Sequence, residues 1–333
     1  MPAEQDKNGA GVNRKMSLAT PLTLFATALS SLCALAADTF PSKPLRIIAP
    51  EAGGNADTVA RLIANGLSRS LGQNVVVENR GGNAVIGGQV LASSQPDGYT
   101  LLAGSTVWIL PLIQKNVPFD PMRDFAPVTL ATRTPMVLAV NPSLPVTSVK
   151  ELIALAKAKP GALSYGAASI GSTNHLAAEL FKSMAQVSIV FVPYKGIALA
   201  VNDLISDRLQ MMFPAASTGM PHAKSGRLRL LAVSTENPSP LAPGLPTVAS
   251  AGLPGFEAAF LTGILVRAKT PQPLIQRLSS EIARVITDVE VKNRLFAIGI
   301  DIVGNTPAEL AQIMKIETAK WSTVIRATGI QPH

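Results

Sequence analysis

Two short stretches combine the residue types that hold an anion. Pro50-Glu51-Ala52-Gly53-Gly54-Asn55-Ala56-Asp57 follows an apolar run, Leu45–Ala49, and opens a helical pattern. Ala168-Ser169-Ile170-Gly171-Ser172-Thr173-Asn174-His175 does the same after Leu163–Ala167. The first turn of a helix presents unpaired N–H groups and about half a positive charge, so it receives carboxylate or phosphate. Adjacent Gly53 and Gly54 let the backbone approach a ligand, and Asn55 or Asp57 can serve as the cap. Gly171 plays the glycine's part in the second stretch, where Ser172, Thr173 and Asn174 add hydroxyl and amide groups. Taken alone, glycines in a loop most often only ease the geometry. Two such helix starts facing each other across a cleft would clamp one carboxylate. Each helix dipole contributes ~0.3–1 kcal/mol and each hydrogen bond to a charged group ~1.5–3 kcal/mol. A few such contacts reach the roughly −8 kcal/mol of a micromolar complex after the cost of association.

Further candidates lie at other strand ends. Ser105 and Thr106 follow the run Tyr99–Ala103, and the carboxyl ends of parallel strands face the ligand crevice in open α/β sheets. They read equally well as a helix cap. Tyr194, beside Lys195, ends another strand and either lines the pocket or packs. His175 caps or packs. Arg80 can answer an acid or pair with Glu78 or Asp97.

Catalytic chemistry has little to work with. The chain holds three histidines, and His175 and His222 lack the spacing of a metal site. No Gly-x-Ser-x-Gly elbow, phosphate-binding loop or dinucleotide fingerprint follows a strand. The expectation is therefore a binding protein with no enzyme activity, no cofactor and no metal.

The elements that must position these turns follow from periodicity. Short apolar runs alternate with helical patterns: Leu45–Ala49, then Asp57–Leu71 with Val59, Leu62, Ile63, Leu67 and Leu71 at helical spacing, then Val75–Glu78, Ile86–Ser94 and Tyr99–Ala103. Phe125–Leu130 and Met136–Val140 read as strands. The alternation restarts after Val140 with Ser148–Lys159, Leu163–Ala167, Thr173–Met184, Ile189–Val192, Ala198–Ser206, Leu209–Phe213 and Leu228–Ser234. Phe260–Val266 is a strand, and Pro271–Ile286, Val289–Ile298 and Pro307–Thr328 are helices. Alternating strands and helices predict an α/β fold of mostly parallel sheets flanked by helices. The restart predicts two lobes. The C-terminal helices have too few strands for a third, so they pack back on the first. Lobe 1 is then residues 41–140 plus 262–333, and lobe 2 is 141–261.

The N-terminal 36 residues read as a secretory signal peptide. Arg14 and Lys15 precede an apolar stretch, Leu18–Ala36, that ends in Ala34-Leu35-Ala36. Cleavage near Ala36 places the mature protein in the periplasm, and translation can start at Met1 or at Met16. The single cysteine, Cys33, leaves with the signal, so the mature chain holds together by its apolar core. The formal charge is +8, but it is scattered, aromatic residues are few and no run of five basic residues occurs. That pattern argues against nucleic acid and favours small anions or the membrane surface.

The order of motifs carries a resemblance. Gly53-Gly54-x-x-Asp57, Val77-Glu78-Asn79-Arg80-Gly81 and Pro96-Asp97-Gly98-Tyr99-Thr100-Leu101-Leu102 come first. Asp124-Phe125-Ala126-Pro127-Val128, Gly171-Ser172-Thr173-Asn174-His175-Leu176-Ala177, Val192-Pro193-Tyr194-Lys195-Gly196 and Leu245-Pro246-Thr247-Val248 follow. Together they resemble the solute receptors of the tripartite tricarboxylate transporter family, the Bug proteins, over almost the whole mature chain. The resemblance implies a monomeric periplasmic-binding-protein (Venus flytrap) fold. It also implies a ligand carboxylate held by Gly53, Gly54 and Asn55 in one lobe and Ser172, Thr173 and Asn174 in the other. Asp57 matches the family's acidic position. The sequence departs from the pattern at Pro50-Glu51-Ala52, where the family usually has an aromatic residue; this leaves the solute open among carboxylates, amino acids and aromatic acids. The partner is a membrane permease, or alternatively a sensor kinase; a secreted hydrolase is a third, weaker alternative.

Overall fold

A computed structural model describes residues 40–50, 52, 54–80, 84–104, 107–168 and 170–332. The signal-peptide segment with Cys33, and Glu51, Gly53, Ser105 and Thr106, lie outside the described residues. In chain order the strands are β1 Leu45–Ala49, β2 Val75–Asn79, β3 Thr100–Gly104, β4 Phe125–Pro135, β5 Val137–Val140, β6 Ser164–Ala167, β7 Val190–Pro193, β8 Met211–Met212, β9 Arg229–Val233, β10 Ala259–Arg267 and β11 Asp301–Ile302. The helices are α1 Asn55–Leu71, α2 Ala84–Ala92, α3 Leu110–Ile113, α4 Pro121–Asp124, α5 Val149–Ala158, α6 Thr173–Ala185, α7 Ile197–Ile205, α8 Ala216–Lys224, α9 Gln272–Thr287, α10 Val289–Ala297 and α11 Pro307–Thr328. A short 3-10 turn, Val107–Ile109, leads into α3.

The strands form two sheets. The first has the order β11-β4-β10-β3-β1-β2 and the second β7-β6-β8-β5-β9. In the first, β1 runs parallel to β2 and β3, while β10 is antiparallel to β3 and β4. In the second, β6 runs parallel to β7 and β8, while β5 is antiparallel to β8 and β9. Each sheet is therefore mixed. The strand-helix-strand units supply the expected parallel half, and β5 and β10, the strands by which the chain enters each sheet from the other, run against it. β5 pairs within the second sheet, so the crossing falls at Met136 rather than after Val140.

Apolar spacing explains the helices that flank the sites. α1 buries Val59, Ala60, Ile63, Ala64 and Leu67 against the sheet, and it stops at Gly72, which takes a left-handed φ of 65°. α6 buries Leu176, Ala177, Leu180 and Phe181. α11 starts with a capping box in which the Thr306 side chain accepts from the Glu309 amide and the Glu309 carboxylate accepts from the Thr306 amide. The C-terminal helices pack on elements of the first sheet: α9 on β4 and α1, and α11 on β4. α11 also packs against α6, so it touches elements of both sheets.

The two crossings are tied together. The chain leaves the first sheet at Pro135 and enters the second at Val137. It returns at Ala258, just before β10. Ser234, fully buried after β9, joins them: its hydroxyl accepts from the Met136 N–H at 3.0 Å and donates to the Ala258 carbonyl at 2.6 Å. Its own N–H donates to the Met136 carbonyl, and its carbonyl accepts from the Ala258 N–H.

Candidate functional site

Strand direction decides which loops face each other. β4 is antiparallel to β10, and β10 is antiparallel to β3, so β4 ends on the edge where β1, β2 and β3 end. β5 begins on the edge where β6, β7 and β8 end, because it is antiparallel to β8. The crossing at Met136 thus joins the carboxyl edge of one parallel set to the carboxyl edge of the other. The turns after β1 and β3 and those after β6 and β7 share this junction, which is where ligands bind in open α/β sheets.

The α1 start is held by its own side chains. Gly54 is the N-cap in extended conformation and makes no side-chain cap bond. Asp57, 3% exposed, accepts from Arg61 Nε at 3.1 Å and from Asn79 Nδ2 at 2.8 Å. Asn79 Nδ2 also donates to the Pro50 carbonyl, and its Oδ1 accepts from Arg61. Asn79 sits at the end of β2, in register with Ala49 at the end of β1. The side chains of Asp57, Arg61 and Asn79 therefore lock the β1–α1 turn to the neighbouring strand. Asn55 is partly exposed at the helix start.

The α6 start is built differently. Ser172 is the extended N-cap, and Thr173 is the first helical residue. Asn174 is 3% exposed, and its Nδ2 has no hydrogen-bond partner among the described residues. A buried donor without a partner costs about 1–3 kcal/mol, so it calls for an acceptor such as a water or a bound solute. Gly171 takes a φ of +77°, and a Cβ there would lie 2.7 Å from Ile113 Cδ1. Only glycine fits, and the contact brings the segment after β3 against the α6 turn. His175 is buried and its Nδ1 accepts the Gly171 N–H at 3.2 Å. Behind it, the Tyr165 hydroxyl donates to Glu179 at 2.5 Å, and Lys182 donates to the same carboxylate at 2.6 Å. Burial first, and then the Glu179 charge, push the Tyr165 hydroxyl well above its ordinary range.

Tyr194 follows β7, and its hydroxyl donates to Asp203 at 2.8 Å. Burial, and next the Asp203 bond, push its pKa up to about 12, so it stays a neutral donor. Arg80 pairs with Glu78, and Lys43 with Asp97. Among the described residues no cluster of His, Cys, Asp and Glu could hold a metal, and no helix is long and apolar enough to cross a membrane.

The structure thus brings Gly171, Ser172, Thr173 and Asn174 together at one helix start, with Ile113 against them, and Gly54, Asn55 and Asp57 at the other. Sequence reasoning missed Asn79 and Arg61 as holders of the first turn and Ile113 as the wall of the second. The residue types gave no signal for Asn79; its position depends on strand register.

The family model for the tripartite tricarboxylate transporter family receptor matches residues 59–330. The chain belongs to that receptor family. Receptors of this family are solute-binding proteins, which fits a two-sheet scaffold whose turns meet at one edge. The protein is 36% identical over 320 residues to the UPF0065 protein in the tcbD-tcbE intergenic region of Pseudomonas sp. strain P51, covering 95% of each chain. It is 34% identical to protein BugT of Bordetella pertussis, covering 89% of this chain and 92% of BugT. The solved structure of R. palustris Rpa4515 with adipate superposes with a TM-score of 0.77 at 35% identity, covering 88% of this receptor and all of that chain. MatC of Rhodopseudomonas palustris with bound malate gives 0.74 at 27% identity, covering 86% of this receptor and all of that chain.

Proposed function

We propose that this receptor captures a small carboxylate-bearing metabolite between its two lobes, outside the cytoplasmic membrane, and delivers it to the permease of a tripartite tricarboxylate-type transporter. The observation that carries the reading is the α6 start. It offers helix N–H groups and the buried Asn174 amide nitrogen, which has no partner among the described residues, on the edge that meets the carboxyl ends of β1 and β3. An acid group supplies the acceptor that Asn174 lacks. Adipate and malate in Rpa4515 and MatC are acids of this class.

In this reading Ser172, Thr173 and Asn174, with Gly171 shaping the turn, hold the carboxylate from lobe 2. Gly53, Gly54 and Asn55 hold it from lobe 1, and Ser105 and Thr106, which follow β3 in sequence, are further candidates. Asp57 and Tyr194 support their turns. The solute meets both sets only when the lobes are closed, so binding shifts the population toward closure about the Met136 and Ala258 crossings. The leader through Ala36 directs export and is removed. The protein does no chemistry on its solute.

A thermal-shift screen of mono-, di- and tricarboxylates, amino acids and aromatic acids tests this, followed by calorimetry on the best ligand. A ligand at a hundred times its Kd adds about 2.7 kcal/mol to stability, a shift easily read. At least one acid should raise the melting temperature, bind near the micromolar range and be recovered unchanged after long incubation. No response from any acid, or turnover of one, overturns the proposal.

A further inference from the structure

We infer that His175 is the positioning residue of the solute-binding turn, holding Gly171 through Nδ1 so that the N–H groups of the α6 start keep the direction a carboxylate needs. The inference rests on the function proposed above. It adds a residue that touches no solute yet sets affinity.

Three observations meet at this ring. His175 is buried, 3% exposed, and it lies three positions after Ser172, the N-cap of α6. Its Nδ1 accepts the Gly171 N–H. The ring stands edge-on to Phe191 with centroids 4.4 Å apart, and the Tyr165 ring lies 6.2 Å away. Tyr165 and Phe191 stack on each other at 5.2 Å across β6 and β7. Two aromatic walls on the sheet thus fix the imidazole, and the imidazole fixes the turn.

The turn needs fixing because Gly171 sits in left-handed backbone, where glycine also has the most freedom to leave. Ile113 presses on it from the segment after β3. A Gly171 that swung away would rotate the Ser172 and Thr173 peptides and weaken the anion site with no loss of core. Accepting at Nδ1 requires an imidazole that is unprotonated there, with its hydrogen on Nε2. The charged groups near it on α6 are Glu179 and Lys182, which bond each other and the Tyr165 hydroxyl. Phe191 on β7 and Ile113 on α3 bring no charge.

The test separates an acceptor at that point from mere filling of space. In His175→Asn the Oδ1 atom falls where Nδ1 was, so the acceptor is kept. In His175→Phe the ring is kept and the acceptor is removed. In the solute-free protein, amide exchange at Gly171 should be slow in the wild type and in His175→Asn, and roughly tenfold or more faster in His175→Phe, the equivalent of one hydrogen bond. The 15N shift of Nδ1 in the wild type should be that of an unprotonated nitrogen. Affinity for the acid that stabilises the wild type best, with adipate and malate among those tried, should fall about tenfold in His175→Phe and recover to within about threefold in His175→Asn. Equal Gly171 exchange in the two variants, or equal affinities, overturns the inference. If His175→Phe fails to fold, a fast Gly171 amide in His175→Asn does the same. If no acid binds the wild type, the function proposed above fails while the exchange result still decides the role of His175.

Discussion

The two helix starts follow the same kind of turn at a sheet edge and use their polar side chains in opposite ways. At α1 the carboxylate of Asp57 and the amide of Asn79 are engaged with Arg61 and the Pro50 carbonyl, so they hold the turn. At α6 the amide nitrogen of Asn174 is buried and has no partner among the described residues, and the turn is held from behind by His175. In the proposed site the difference assigns roles. There the α1 start offers an acid mainly its backbone. The α6 start adds a side-chain donor to its backbone and so has more to discriminate with.

The largest effect should come from blocking either start outright. Gly54→Trp and Ser172→Trp should each lower affinity for the best acid by more than about 100-fold, the loss of two or more hydrogen bonds to a charged group. Melting temperatures should stay within a few degrees of the wild type, since both residues are only partly buried at helix starts. Calorimetry with a parallel melt reads both. Unchanged affinity in both variants would remove the site from these turns altogether.

Asn174→Leu sharpens the contrast, because affinity and stability should move in opposite directions. Removing a buried donor that has no partner should raise the stability of the solute-free protein by about 1 kcal/mol. The same change should weaken acid binding by roughly tenfold to 100-fold, the span of one charged hydrogen bond. Urea melts and calorimetry measure the pair. If Asn174→Leu binds as the wild type does, the two starts differ only in packing.

Much of this contrast was hidden in the sequence for a physical reason. Strand-helix alternation and glycine-rich turns are local signals, so α1, α6, the parallel strands and the two turns were legible. A helix start must follow its strand, so each proposed site turn falls at a strand's carboxyl end. What was not legible depends on register or on polar core. β4 runs to Pro135 through Thr132 and Thr134, buried polar residues that break an apolar run, so it read as ending at Leu130. β11 has two residues, too few for any period. Pro221 lies inside α8 and obscured it. Asn79 acts on Asp57 from 22 positions away, and only the pairing of β1 with β2 brings them together.

Asp57→Ala probes the α1 side of the comparison with a smaller effect of opposite kind. It removes one of two acceptors for Arg61 and one of two for Asn79, so stability should fall by about 1–3 kcal/mol. In the proposed site the carboxylate serves the turn, so affinity should change by less than about threefold. A loss of affinity like that of Ser172→Trp, at unchanged stability, would put Asp57 on the solute and erase the contrast between the starts.

The smallest effect belongs to Tyr194→Phe, on the turn after β7. Its hydroxyl already serves Asp203, which also receives Arg208, so this turn resembles the α1 start in having its polar groups engaged. Affinity should be unchanged within about twofold, and the melting temperature should drop by about 1–3 °C. The pH dependence gives a sign to check. The bond from Tyr194, and next that from Arg208, hold Asp203 below the ordinary carboxylate range. A carboxylate depressed in the folded state contributes stability above its unfolded value, near pH 4, and loses it as pH falls through the folded value. The gap between wild type and Tyr194→Phe should therefore be widest at neutral pH and close below about pH 4. No gap at any pH would mean that Tyr194 stabilises the turn by packing alone. A tenfold affinity loss at pH 7 would put its hydroxyl on the solute and make a second start with a donor to spare.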